Sequence, residues 1–133
     1  MYSQSMTGID ERSLAAAELE VAECFDDYEQ ALVANDIDAM DRWFWDDPGV
    51  VRFGIAEIQY GADAVRTWRK DATPVPVSRT ITGRTVRAFS PELVTVDITF
   101  VNGEGPPTGR QSQLWIRVDG SWRIARAHVS MID

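Results

Sequence analysis

Apolar positions recur at helical spacing in the first third of the chain and at two-residue spacing in the last. Between Asp10 and Asn35, Leu14, Val21, Phe25, Tyr28 and Leu32 form one stripe, while Glu18, Glu23, Asp26, Asp27 and Glu29 cover much of the remaining surface. That is the pattern of an amphipathic helix with one buried side. Asp36 is a natural N-cap for a short second helix, Ile37–Trp43, which the turn Asp46-Asp47-Pro48-Gly49 stops. Short strands follow at Val50–Phe53 and Glu57–Tyr60, with Gly54 and Gly61 as punctuation. A third helix is predicted over Asp63–Asp71, with Val65, Trp68 and Ala72 facing inward.

After Pro74 and Pro76 the period changes. Alternating runs appear at Arg79–Phe89, Leu93–Asn102, Arg110–Val118 and Trp122–Ile132, the last two joined by the hairpin signal Asp119-Gly120. The order predicts an α+β fold in which three helices from the N-terminal half cover a curved, mainly antiparallel sheet. The first helix should cross the concave side. A bent sheet closed by helices is a cone, and a cone holds a pocket of the kind that takes small molecules. On Arg110–Val118 the apolar Leu114, Ile116 and Val118 alternate with Gln111, Gln113 and Trp115, so the face carrying Arg110 and Ser112 is expected inward. On the last strand, strict alternation puts Trp122, Ile124, Arg126, His128 and Ser130 on one face.

At 133 residues the chain has the length of one domain, read as residues 10–133 behind a flexible tail, 1–9. No apolar run is long enough for a membrane span. The start, Met1–Asp10, has no basic segment followed by an apolar block, which makes the cytoplasm the expected compartment. One cysteine, Cys24, and one histidine allow neither an internal disulfide nor a multi-histidine metal site. The net charge of −8 is uneven: residues 1–50 carry thirteen acids and two arginines, residues 51–133 eight acids and eleven bases. An acidic chain without a dense basic surface argues against binding nucleic acid. Twelve of the thirteen bases are arginine, the residue suited to two-point pairing with carboxylates.

The element order, with the ending Trp122-Arg123-Ile124 and His128-Val129-Ser130, resembles the NTF2-like (SnoaL-like) superfamily. Three stretches resemble its AtzH-like branch: Arg52-Phe53-Gly54-Ile55-Ala56-Glu57 with Tyr60-Gly61, Gly109 to Trp115, and Ala127-His128-Val129-Ser130. The resemblance spans Leu14 to Met131. It implies a cofactor-free enzyme that deamidates a small ureido carboxylate by hydrolysis, in the manner of proteins assigned to oxalurate catabolism and the cyanuric-acid pathway. It equally allows a non-catalytic ligand-binding or accessory protein that works with a separate amidase. NTF2-like relatives commonly pair through the outer sheet face. A homodimer is therefore expected, with Trp115, Arg117 and alternating threonines on that face.

Among single residues, His128 is the one histidine, the side-chain type whose ordinary charge change falls near neutrality, which makes it the first general acid/base candidate. Its plain alternative is a core histidine bonded to a carbonyl. Glu57 lies among Phe53, Ile55 and Tyr60, where burial would suit proton transfer; the alternative is an ion pair to an arginine. Tyr28, on the inward stripe of the first helix, is placed to polarise a urea carbonyl or simply to pack. Arg52 and Arg110 are the candidates for gripping a carboxylate, ahead of Arg79. Tyr60, Ser112, Ser130 and Trp68 complete the candidate substrate contacts, although Trp68 reads first as packing.

Overall fold

The computed structural model describes residues 10–133, so the expected tail over 1–9 lies outside the described residues. Helix α1 (Glu11–Ala34) starts at Asp10, whose carboxylate accepts from the Arg12 amide at 3.0 Å, and ends at Asn35 in the left-handed conformation, φ 53°. Helix α2 (Ile37–Trp43) is capped by Asp36, which accepts from the Ala39 amide at 3.2 Å. Strands β1 (Val51–Phe53) and β2 (Ile58–Tyr60) precede helix α3 (Ala62–Asp71). Four long strands follow: β3 (Arg79–Ser90), β4 (Leu93–Asn102), β5 (Thr108–Val118) and β6 (Ser121–Ile132). The β5–β6 turn has positive φ at both Asp119 (50°) and Gly120 (81°), as a tight two-residue hairpin requires.

All six strands form one open sheet in the order β2-β1-β6-β5-β4-β3. Neighbours are antiparallel except β1 and β6, which run parallel. Helix α1 packs on the inner face, where Ala17, Val21, Phe25 and Tyr28 join Val94, Val96, Ile98 and Phe100 of β4 in the core. Among the described residues no helix is long and apolar enough to cross a membrane.

The facing of two strands differs from the expectation. On β5 the buried residues are Gln111, Gln113 and Trp115, while Arg110 and Ser112 are exposed and Leu114, Ile116 and Val118 are half-buried on the outer face. Trp115 decides the matter. Its indole is fully buried (0% exposed), meets Trp43 edge-on at 5.7 Å, and donates to Gln113 Oε1 at 2.9 Å. A large ring inside, with its N–H satisfied by the neighbouring amide, outweighs three partly covered aliphatic side chains outside.

On β6 a bulge breaks the alternation. Leu114 pairs with Arg126 but Trp115 pairs with Ile124, so Ala125 is an extra residue on β6. Trp122 and Ile124 face inward before it; Ala127, Val129 and Met131 do so after it. His128 and Ser130 are thereby turned to the outer face. The residues expected to make a dimer surface also move. Trp115 is inside, and Arg117 reaches Glu20 on α1 at 2.7 Å, where Trp122 Nε1 donates to the same carboxylate at 2.8 Å. That indole N–H first, with Arg117 beside it, holds the Glu20 carboxyl below its ordinary value.

Candidate functional site

The cone encloses a cavity of about 440 Å³ between α1, α3, β1 and the open ends of β3, β4 and β6. The elements bring Tyr28, Arg52, Glu57, Trp68, Arg69 and Arg79 to its wall. Arg52 projects inward because it is the middle residue of β1, paired with inward Ala127, while Val51 and Phe53 pair with outward Arg126 and His128. Its Nη1 donates to Glu57 Oε1 and to Gln59 Oε1, each at 2.9 Å, and its guanidinium carbon lies 3.7 Å from the centre of the Trp68 ring. Among the described residues its Nε and Nη2 have no protein partner within bonding distance.

Glu57 reaches Arg52 by folding back over Gly54. A Cβ at residue 54 would stand 1.8 Å from Glu57 Oε1, so glycine leaves the space the carboxylate occupies. The ion pair foreseen as the alternative for Glu57 is thus present, and it lies in the chamber wall rather than on the surface. Tyr28 is 6% exposed, and its ring meets Phe44 edge-on at 6.2 Å. Arg79 is bound differently: Nε and Nη2 both donate to the Glu29 carboxylate, at 2.9 and 3.1 Å, tying β3 to α1.

Arg69 was not singled out in the sequence. It lies four residues after Val65, on the buried side of α3, so helical spacing alone carried the signal. The residue is 5% exposed; Nε donates to Asp41 Oδ1 at 2.8 Å and Nη1 approaches Met40 Sδ at 3.3 Å. Its Nη2 is buried without a partner among the described residues. Gln59, also buried, is the second wall-supporting residue that sequence reasoning missed, because Tyr60 drew attention on the same strand.

The remaining candidates lie elsewhere. His128 is on the outer face, its ring edge-on to Phe53 at 5.5 Å. Arg110 is outside as well and donates to Ser130 Oγ at 3.1 Å. Ser112 donates to Asp97 at 2.6 Å on the same face. Tyr60 is 67% exposed at the sheet edge, because on β2 it is Gln59 that points inward. The cause is the β6 bulge for His128 and Ser130, and the inward Trp115 for Arg110 and Ser112. Of the nine leading candidates, the structure brings Tyr28, Arg52, Glu57 and Trp68 together, with the lesser candidate Arg79 in the same wall. Among the described residues no group of three or more His, Cys, Asp or Glu side chains is placed to hold a metal. Cys24 is half-buried, and burial first, then nearby carboxylates, raises its thiol above the ordinary value, so it is not poised as a thiolate.

A family model described as AtzH-like matches residues 9–133. Among solved structures, a cystatin-like fold protein from Burkholderia xenovorans LB400 is 43% identical, with a TM-score of 0.84 over 88% of this chain and 92% of that one. A protein with unknown function from Pectobacterium atrosepticum is 29% identical, with a TM-score of 0.83 over 93% of this chain and 94% of that one. An NTF2-like protein of unknown function from Pseudomonas putida KT2440, 21% identical, has a TM-score of 0.74 over 87% of each chain and shows the shared fold. A comparison with curated proteins gives no match.

Proposed function

The chain belongs to the AtzH-like family, and from that membership and the chemistry of the chamber we propose a small-molecule enzyme that deamidates a ureido carboxylate by hydrolysis. One observation carries the reading. In a chain of net charge −8, the cavity is lined by three arginines, Arg52, Arg69 and Arg79, and one carboxylate, Glu57, while Asp41 and Glu29 pair with two of the arginines from behind the lining. Concentrating positive charge in a concave, low-dielectric wall attracts a small anion against the field of the whole molecule. The uncommitted nitrogens of Arg52 take the substrate carboxylate while its Nη1 keeps Glu57 in place. Tyr28 donates its hydroxyl proton in a hydrogen bond to the urea carbonyl. Glu57 accepts a proton from water, the water oxygen adds to the carbonyl carbon, and the C–N bond breaks as the proton passes to departing ammonia.

A second reading has its own support. The carboxylates behind or beside all three arginines are ion-paired, Glu57 with Arg52, Asp41 with Arg69 and Glu29 with Arg79, and the histidine is outside the chamber. A wall with its acids so engaged suits a binding protein that serves a separate amidase.

Turnover by the purified protein separates the two. Ammonia release is measured against a panel of ureido acids, with carbon dioxide followed in parallel and binding followed by calorimetry. The enzyme reading expects ammonia release that Glu57→Gln lowers by ~10²–10⁴-fold with binding retained, the effect of losing a general base. It also expects His128→Ala to turn over like wild type. Binding without turnover by wild type establishes the accessory reading. Carbon dioxide without ammonia means that an N-carboxyl group leaves, and sinks the deamidation.

A further inference from the structure

The three chamber arginines are not equivalent in how their donors are used. Arg79 spends a two-nitrogen edge on Glu29, the saturated geometry of a structural clamp. Arg69 is buried to the same degree, at 4% side-chain exposure against 3% for Arg79, yet gives Asp41 a single nitrogen, Nε. Its Nη1 faces a thioether sulfur, a weak acceptor, and its Nη2 has no acceptor among the described residues. Arginine cannot lose its proton to escape this position. A guanidinium held only to pair Asp41 would turn its Nε–Nη2 edge to both carboxylate oxygens, as Arg79 does for Glu29.

Its surroundings place the idle nitrogen's side chain at the ligand's side of the wall. Arg69 lines the same cavity as Arg52. Both guanidinium groups sit on Trp68, with their central carbons 3.7 Å (Arg52) and 5.4 Å (Arg69) from the centre of its ring. Trp68 thus lies against two cations at once, with Phe44 at the same 5.4 Å from the Arg69 carbon, which gives a reason for an indole there beyond packing. A charge-assisted bond formed at a nitrogen shielded from bulk water is stronger than one formed in the open.

We infer that Arg69 makes a second anion contact in the chamber, its guanidinium shifting to bring the buried Nη2 to a carboxylate oxygen of the ligand, so that Arg52 and Arg69 grip one ligand from around the Trp68 ring. The inference rests on the reading that the ligand bears a carboxylate, and not on whether that ligand is turned over. It gives Asp41 a role too: by sharing the guanidinium charge, the aspartate holds the arginine in place and weakens its pull on the ligand.

Calorimetry with three probes tests it: ureidoacetate, oxamate (a carboxylate without a urea) and the neutral amide of ureidoacetate. Arg69→Lys keeps the charge beside Asp41 but removes Nη2, and should weaken both carboxylates tenfold or more while leaving the affinity of the neutral amide unchanged. Asp41→Asn should tighten both carboxylates at least threefold, a result that a merely structural Arg69–Asp41 pair would not give. Thermal melts of each variant establish that it is folded. If Arg69→Lys does not fold, Asp41→Asn decides alone, tightening in favour and unchanged or weaker binding against. Wild-type affinity for the carboxylates in folded Arg69→Lys overturns the inference, and so does a wild type that binds neither carboxylate. Oxamate binding that depends on Arg69, without turnover of any ureido acid, removes the enzyme reading and leaves this one standing. Turnover that ignores Arg69 does the reverse.

Discussion

Gly54 shows how a residue without a side chain shapes the chemistry around it. The Glu57 carboxylate stands where a Cβ at 54 would be, and Arg52 Nη1 is 2.8 Å from the same point. Gly54→Ala forces the carboxylate and the guanidinium apart, but the atoms displaced are the ends of flexible side chains, so the fold should tolerate it. The expected result is a loss of stability of about 1 kcal/mol or less, read as a small fall in melting midpoint, together with a clear loss of carboxylate affinity or turnover. A folded Gly54→Ala protein with wild-type binding and turnover would show that the Arg52–Glu57 geometry does not matter. At this scale the sequence was informative where a residue had a motif around it, as Arg52, Gly54 and Glu57 did. It said little about Arg69, one of twelve arginines, which is marked in the sequence only by its four-residue step from Val65 and in space by a nitrogen without an acceptor among the described residues.

Elements were the most legible level, and their facing the least. The α2 boundaries Ile37–Trp43, its Asp36 cap, the strand Leu93–Asn102 and the Asp119-Gly120 turn agree with the sequence pattern, because caps and tight turns are local chemistry. Facing is not local. One extra residue, Ala125, shifts the phase of everything after it on β6, and its only signature is a change in cross-strand register. On β5 the polar Gln111 and Gln113 mimic a solvent face, yet both are buried. This assignment is open to a direct check, since Gln113 Oε1 is the acceptor for the Trp115 indole at 2.9 Å. Gln113→Leu adds apolar surface but leaves a buried N–H unpaired, and should cost about 1–3 kcal/mol in denaturant unfolding. Equal or greater stability in the leucine variant would mean that Gln113 does not face the core.

At the scale of the molecule, the inner face of the sheet is covered by helices and enclosed as the chamber, which leaves the outer face to be accounted for. That face carries Val51, Phe53, Leu114 and Ile116, all half-buried, around exposed Asp97, Arg110, Arg126 and His128. The sequence led to the same face by the wrong residues, since Trp115 is inside and Arg117 is tied to α1. What recommends it is self-complementarity. A two-fold axis brings each patch onto its own copy, so apolar residues meet apolar residues, and the presence of both an acid and several bases lets opposite charges meet across the axis. A shallow cavity of about 280 Å³ lined by Phe53, Leu114 and His128 gives that copy relief to fit into. The chain should therefore form a homodimer, with a mass near twice 14.9 kDa by light scattering at micromolar concentration. A stable pair needs roughly 800 Å² covered on each partner, more than this groove alone, so the contact must extend across β4, β5 and β6. Leu114→Asp places an unpaired charge in the middle of the face and should release folded monomers, with the chamber's ligand affinity preserved, because Leu114 points away from it. A wild-type mass of 14.9 kDa at tens of micromolar would remove the dimer. A dimer that survives Leu114→Asp would place the contact on another surface.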